Sequence, residues 1–87
     1  MNLSDGMNAQ RQELKALVDG GTHLRLTIPM RGAVWLANSA LPGEAGPVYA
    51  LRLAPYQQRS RQLLSTKDFL EAWQRLEDEI ERLMEGL

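Results

Sequence analysis

Phe69, Trp73, Leu76, Ile80, Leu83 and Leu87 fall at spacings that alternate strictly between four and three. That is the period of one face of an α-helix, and a strand cannot place such a set on one side. The stretch Leu64 to Leu87 is therefore read as one long amphipathic helix. Ser65 is placed to cap it, because a hydroxyl there accepts from N–H groups that the first turn leaves unpaired. Asp68, three residues on, suits the return half of a capping box, and Leu64 with Phe69 suits a hydrophobic staple. Gly86 supplies a left-handed stop. Leu70 and Met84 widen the apolar stripe. Glu71, Arg75, Asp78, Arg82 and Glu85 occupy the opposite face, with Glu71–Arg75 and Asp78–Arg82 as acid-before-base pairs at i, i+4. The run Glu77-Asp78-Glu79 with Glu81 reads as a solvated face. A stripe this wide suits burial against a sheet better than a coiled-coil seam, which wants roughly three to four heptads.

The rest of the 87 residues must supply that sheet. Met1 to Met7 reads as a lead-in, and a short helix is expected over Asn8 to Asp19. Leu14, Leu17 and Val18 share one of its faces, Met7 extends it, and Gly20-Gly21 ends it. From Thr22 the period drops to two: Leu24, Leu26 and Ile28 alternate with His23, Arg25 and Thr27, the pattern of a strand buried on one face. Pro29-Met30-Arg31-Gly32 is a tight turn with Gly32 at positive φ. Ala33 to Ala37 returns, and Asn38 to Pro47 is a loop with two prolines and two glycines, long for a hairpin. Val48 to Ala54 is a third strand. After a turn at Pro55–Gln58, the alternation of Arg59, Arg61 and Leu63 suggests a short polar fourth strand.

Consecutive strands with short connections form a meander. The expected fold is α+β. It has an antiparallel three- to four-stranded meander, a short N-terminal helix, and a long C-terminal amphipathic helix packed on one sheet face. Residues 1–87 make a single small domain.

Composition bounds the function. With no cysteine there is neither a disulfide framework nor a thiolate metal site. Met1 to Gln10 lacks a basic run followed by an apolar core, and nothing approaches the ~20 apolar residues of a membrane span, so a cytoplasmic protein without membrane contact is expected. Residues 1–65 carry seven Lys/Arg against four Asp/Glu, whereas residues 66–87 carry three against seven. Such a division serves internal complementarity or two binding faces of opposite sign.

Catalytic constellations are not found. His23 stands alone, with Asp19 across a Gly-Gly break, and reads as a solvated histidine. One His without Cys does not assemble zinc ligation. Gly20-Gly21 follows a helix instead of opening one, and Gly43 to Pro47 leads into a strand, so neither is a phosphate loop. The expectation is a non-enzyme without cofactor or metal.

Binding is what remains. If Leu24, Leu26, Leu51 and Leu53 face the helix, Arg25, Arg52 and Trp35 share the other sheet face, with Arg31, Arg59 and Arg61 at its side. Arginine with tryptophan is the composition of interface hot spots, and the long loop adds Leu41 and Glu44. A protein-binding module is the main reading, with a hetero-partner or a homodimer through sheet edge or helix. Small cysteine-free α+β chains without a reaction centre are common among phage- and mobile-element inhibitors, anti-CRISPR proteins included. By that analogy of size, an inhibitor docking on a partner protein is one form of the reading. A single-stranded nucleic-acid-binding sheet, with guanidinium groups on phosphate and Trp35 under a base, is the alternative. A nucleic-acid mimic built on the acidic helix is the second.

Overall fold

The computed structural model describes the backbone of residues 3–85 and the side chains of residues 10–85. Helix α1 (Leu3–Asp19) leads into strands β1 (Leu24–Ile28), β2 (Gly32–Asn38), β3 (Tyr49–Pro55) and β4 (Arg61–Thr66), and helix α2 (Phe69–Glu85) closes the order. The strands form one antiparallel meander, β1-β2-β3-β4. Both helices lie on the same side of it, giving the α+β two-layer architecture. The plate is 18 Å through its thin axis.

The register explains which side is covered. Leu26 pairs with Val34 and Val34 with Leu53; Leu24 pairs with Leu36, Leu36 with Leu51, and Leu51 with Leu64. Directly opposed residues point to the same face, so this apolar block is continuous across all four strands. Onto it α2 lays Phe69, Ala72, Trp73 and Leu76, and α1 adds Val18, which is fully buried, with Leu14 beside it. Tyr49, Phe69 and Trp73 form an aromatic chain, with centroids 5.2 Å apart edge-to-face and then 5.9 Å apart tilted.

Several local expectations are corrected. Ser65 belongs to β4, and Asp68 is the cap of α2: its Oδ1 accepts from Leu70 N–H at 3.0 Å. Thr66 Oγ1 accepts from Asp68 N–H at 3.1 Å and lies 3.3 Å from Glu71 Oε2. The strand runs on because Leu64 is claimed by Leu51 across the sheet, which removes the first turn that Ser65 would have capped. Arg75 and Arg82 both turn to Glu79 Oε1, at 3.0 and 2.9 Å, instead of to Glu71 and Asp78. Glu79 is thereby buried, not solvated. Leu70 and Met84, on the flanks of the α2 stripe, and Leu17 on α1 are about half exposed. Helix α1 begins at Leu3, ahead of Asn8, as a helix anchored at its docked end extends at one hydrogen bond per residue added. Gly86 and Leu87, and the side chain of Met7, lie outside the described residues.

The end of α1 follows its glycines. Gly21 takes φ 102, its N–H donates to Val18 O at 3.0 Å, and Thr22 N–H donates to Leu17 O at 2.9 Å, the paired bonds of a Schellman stop. Among the described residues, no helix is long and apolar enough to cross a membrane.

Candidate functional site

Among the described residues, no helix lies on the second sheet face. Its centre is the cross-strand row Arg25, Trp35, Arg52 and Gln62, each paired with the next. Adjacent strands lie about 4.8 Å apart, so Trp35 sits between two arginines with their Cα atoms about 10 Å apart. The Arg25 guanidinium carbon is 5.1 Å from the Trp35 ring centroid, a cation–π distance. Arg52 Nη2 donates to Ser60 Oγ at 3.4 Å, and the rest of its fork has no partner among the described residues. On either side of the row, Ala33 pairs with Ala54 and Ala37 with Ala50. These short side chains leave the indole as the relief of an otherwise flat surface. Trp35 is half-buried on this face, whereas Trp73 is in the core.

Charge follows the layers. Between Gly20 and Lys67, six Lys/Arg stand against one acid, Glu44, while residues 1–19 and 68–87 carry four against ten. Glu44 is in the loop, and none of β1 to β4 carries a carboxylate. The sheet layer is basic and the helix layer acidic.

The other expected residues spread around this row. Arg31 and Arg59 belong to the turns at one end of the sheet, where Tyr56 N–H donates to Arg31 O at 3.0 Å and ties the two turns together. Arg61 is not on the open face. A β-bulge between Leu51 and Arg52 shifts the register so that Arg61 pairs with Leu53 on the helix side. Gln62 takes the place beside Arg52, and both Leu63 and Leu64 pack against the core. Leu41 and Glu44 are exposed at the opposite end, in a turn closed by Glu44 N–H to Leu41 O at 3.1 Å.

Sequence reasoning missed Asn38, which holds that loop in place. Its Oδ1 accepts from Ala40 and Val48 N–H at 3.0 and 3.1 Å, and its Nδ2 donates to Asp19 O at 3.3 Å. An Asn ending a strand before a Pro/Gly-rich loop was the available signal. It also missed the apolar turn tips, Met30 and Tyr56, which are exposed beside Arg31 and Arg59. Both tips follow or adjoin a proline, Pro29 and Pro55.

The row can bind but offers no proton-transfer pair. His23 is exposed just ahead of β1. Among the described residues, no three metal-ligating side chains come together. Set against protein-family models, curated proteins and solved structures, the chain matches none of them.

Proposed function

We propose that this chain is a non-enzymatic protein-binding module that docks through its open sheet face. One observation carries the reading: Arg25, Trp35 and Arg52 form a continuous row on an uncovered, carboxylate-free surface. A half-buried indole held by a stacked guanidinium loses little freedom on binding, and Trp and Arg are the side chains on which interfaces concentrate their energy. Inhibition of the bound partner is one use of such a module. Immobilised wild-type protein should retain a partner from its host's lysate that Trp35→Ala and Arg52→Glu, both with unchanged circular dichroism, release. Recovery of the chain alone, or equal retention by both variants, overturns the reading.

The same row supports a second reading, a platform for single-stranded nucleic acid, because the two cations bracket one stacking surface without an acid to repel phosphate. Binding of a fluorescent oligothymidine at low salt would favour it. In that case Arg52→Ala should reduce the salt slope by about one.

A further inference from the structure

The two edges of the sheet are built differently. β4 has a bulge, begins with Arg61 and is flanked by Arg59 and Lys67, the devices by which an edge resists pairing with another chain. β1, Leu-Arg-Leu-Thr-Ile, has no bulge and a single charge. It is also incompletely covered. Leu26 is on the helix side of the sheet, yet 40% of it is exposed. Beside it, a mostly apolar groove of about 190 Å³ opens between α1, β1 and α2, lined by Leu14, Leu24, Leu26, Trp73, Leu76 and Ile80 together with Arg25.

From these features we infer that β1 pairs antiparallel with β1 of a second copy, about a two-fold axis at Leu26. The register is set by the chain itself. Ile28 O accepts from Arg31 N–H at 3.0 Å inside the hairpin, so the backbone groups of Ile28, Leu26 and Leu24 point toward β2. Those of Arg25 and Thr27 then point to the free edge. With the axis at Leu26, Arg25 meets the second copy's Thr27 in two hydrogen-bonded pairs related by symmetry, four bonds in all. Leu26 meets its own counterpart and Leu24 meets Ile28, so the apolar side stays apolar across the junction. Neighbouring registers are worse. An axis at Arg25 sets arginine against arginine, and an axis at Thr27 sets Arg25 against Pro29, which has no N–H to give. The Leu26 pair adds apolar surface beside the groove on each copy, and the two Arg–Trp–Arg rows come to lie on one eight-stranded sheet.

Cysteine substitution reads this geometry directly, because the chain has no cysteine of its own. The Leu26 pair is non-hydrogen-bonded with Cα atoms about 4.5 Å apart, within disulfide reach. Leu26→Cys should therefore form a covalent dimer under mild oxidation, and Thr27→Cys, offset from its counterpart by two residues, should not. Sedimentation equilibrium should give wild-type protein twice the chain mass. Thr27→Pro removes an N–H that serves only the free edge, and should give the single-chain mass with unchanged circular dichroism. Monomeric wild-type protein at all concentrations, a dimer that survives Thr27→Pro, or cross-linking of Thr27→Cys as readily as Leu26→Cys would overturn the inference. If Thr27→Pro does not fold, the two cysteine variants still decide it. The dimer does not rest on the docking reading: a monomer removes the dimer and leaves the open face as it is.

Discussion

The Tyr49 hydroxyl donates to Asp19 Oδ1 at 2.6 Å, joining the middle of the sheet to the last residue of α1, thirty positions away. Lys15 Nζ binds the other carboxylate oxygen at 2.8 Å. Tyr49→Phe should cost about 1.5–3 kcal/mol in urea unfolding, the range for a hydrogen bond to a charged group. A loss within error would mean that α1 is held without it, by Val18, Leu14 and the Asn38 bond to Asp19 O.

The same contact has a pH signature. Burial pushes the Asp19 carboxyl up, but the hydrogen bonds from Lys15 and Tyr49 outweigh it and hold the group below its ordinary 3.8. Its contribution is complete above 3.8 and is lost as pH falls through the lower folded value. Burial, then the Asp19 bond, pushes Tyr49 above its ordinary 10.0, so its contribution is present below 10.0 and is lost as pH rises through the folded value. Unfolding curves across pH should show Asp19→Asn with a flatter acid limb and Tyr49→Phe with a flatter alkaline one.

Capping and ion-pair variants separate the observed α2 from the one expected from spacing. Asp68→Ala should destabilise by about 1 kcal/mol, and Ser65→Ala should stay within roughly 0.5 kcal/mol of wild type. Glu79→Gln should cost about 1 kcal/mol, because the buried carboxylate holds two guanidinium groups that water partly screens. Asp78→Asn should leave the chemical denaturation midpoint unchanged.

The turn at the end of β1 offers a pair of opposite sign. A Cβ at Gly32 would lie 2.5 Å from Ala54 O and 2.9 Å from Pro55 Cα, at a φ of 137. Gly32→Ala should therefore cost more than the ~1–3 kcal/mol of ordinary overpacking. Met30 holds φ 64 without being glycine, so Met30→Gly should raise stability by about 0.5–1 kcal/mol, the left-handed strain relieved less the added freedom of the unfolded chain. Thermal unfolding of the two variants should shift in opposite directions.

The layers could be read from the sequence because their signals are periodic. Phe69, Trp73, Leu76 and Ile80 specify a helix face, and Leu24, Leu26 and Ile28 a strand face, whatever surrounds them. The Arg25–Trp35–Arg52 row followed from that alternation. Misplaced features depended on contacts between elements. The alternation of Arg59, Arg61 and Leu63 predicts one face, but the bulge opposite Leu51 and Arg52 puts Arg61 on the other. Ser65 is as good a cap as Asp68 locally, and loses because Leu64 pairs with Leu51. Glu79 could not be told from Asp78, since both have an arginine within one helical turn, and only the packed helix shows which carboxylate the guanidinium groups enclose.

The separation of charge between layers gives this protein an electric moment out of proportion to its formal charge of −1. At low ionic strength, where the Debye length is about 30 Å at 0.01 M, each molecule presents unscreened poles across a plate 18 Å thick. A column of either sign can then hold it, by one side or the other. Modest added salt should release it from both and increase its solubility, the reverse of salting out.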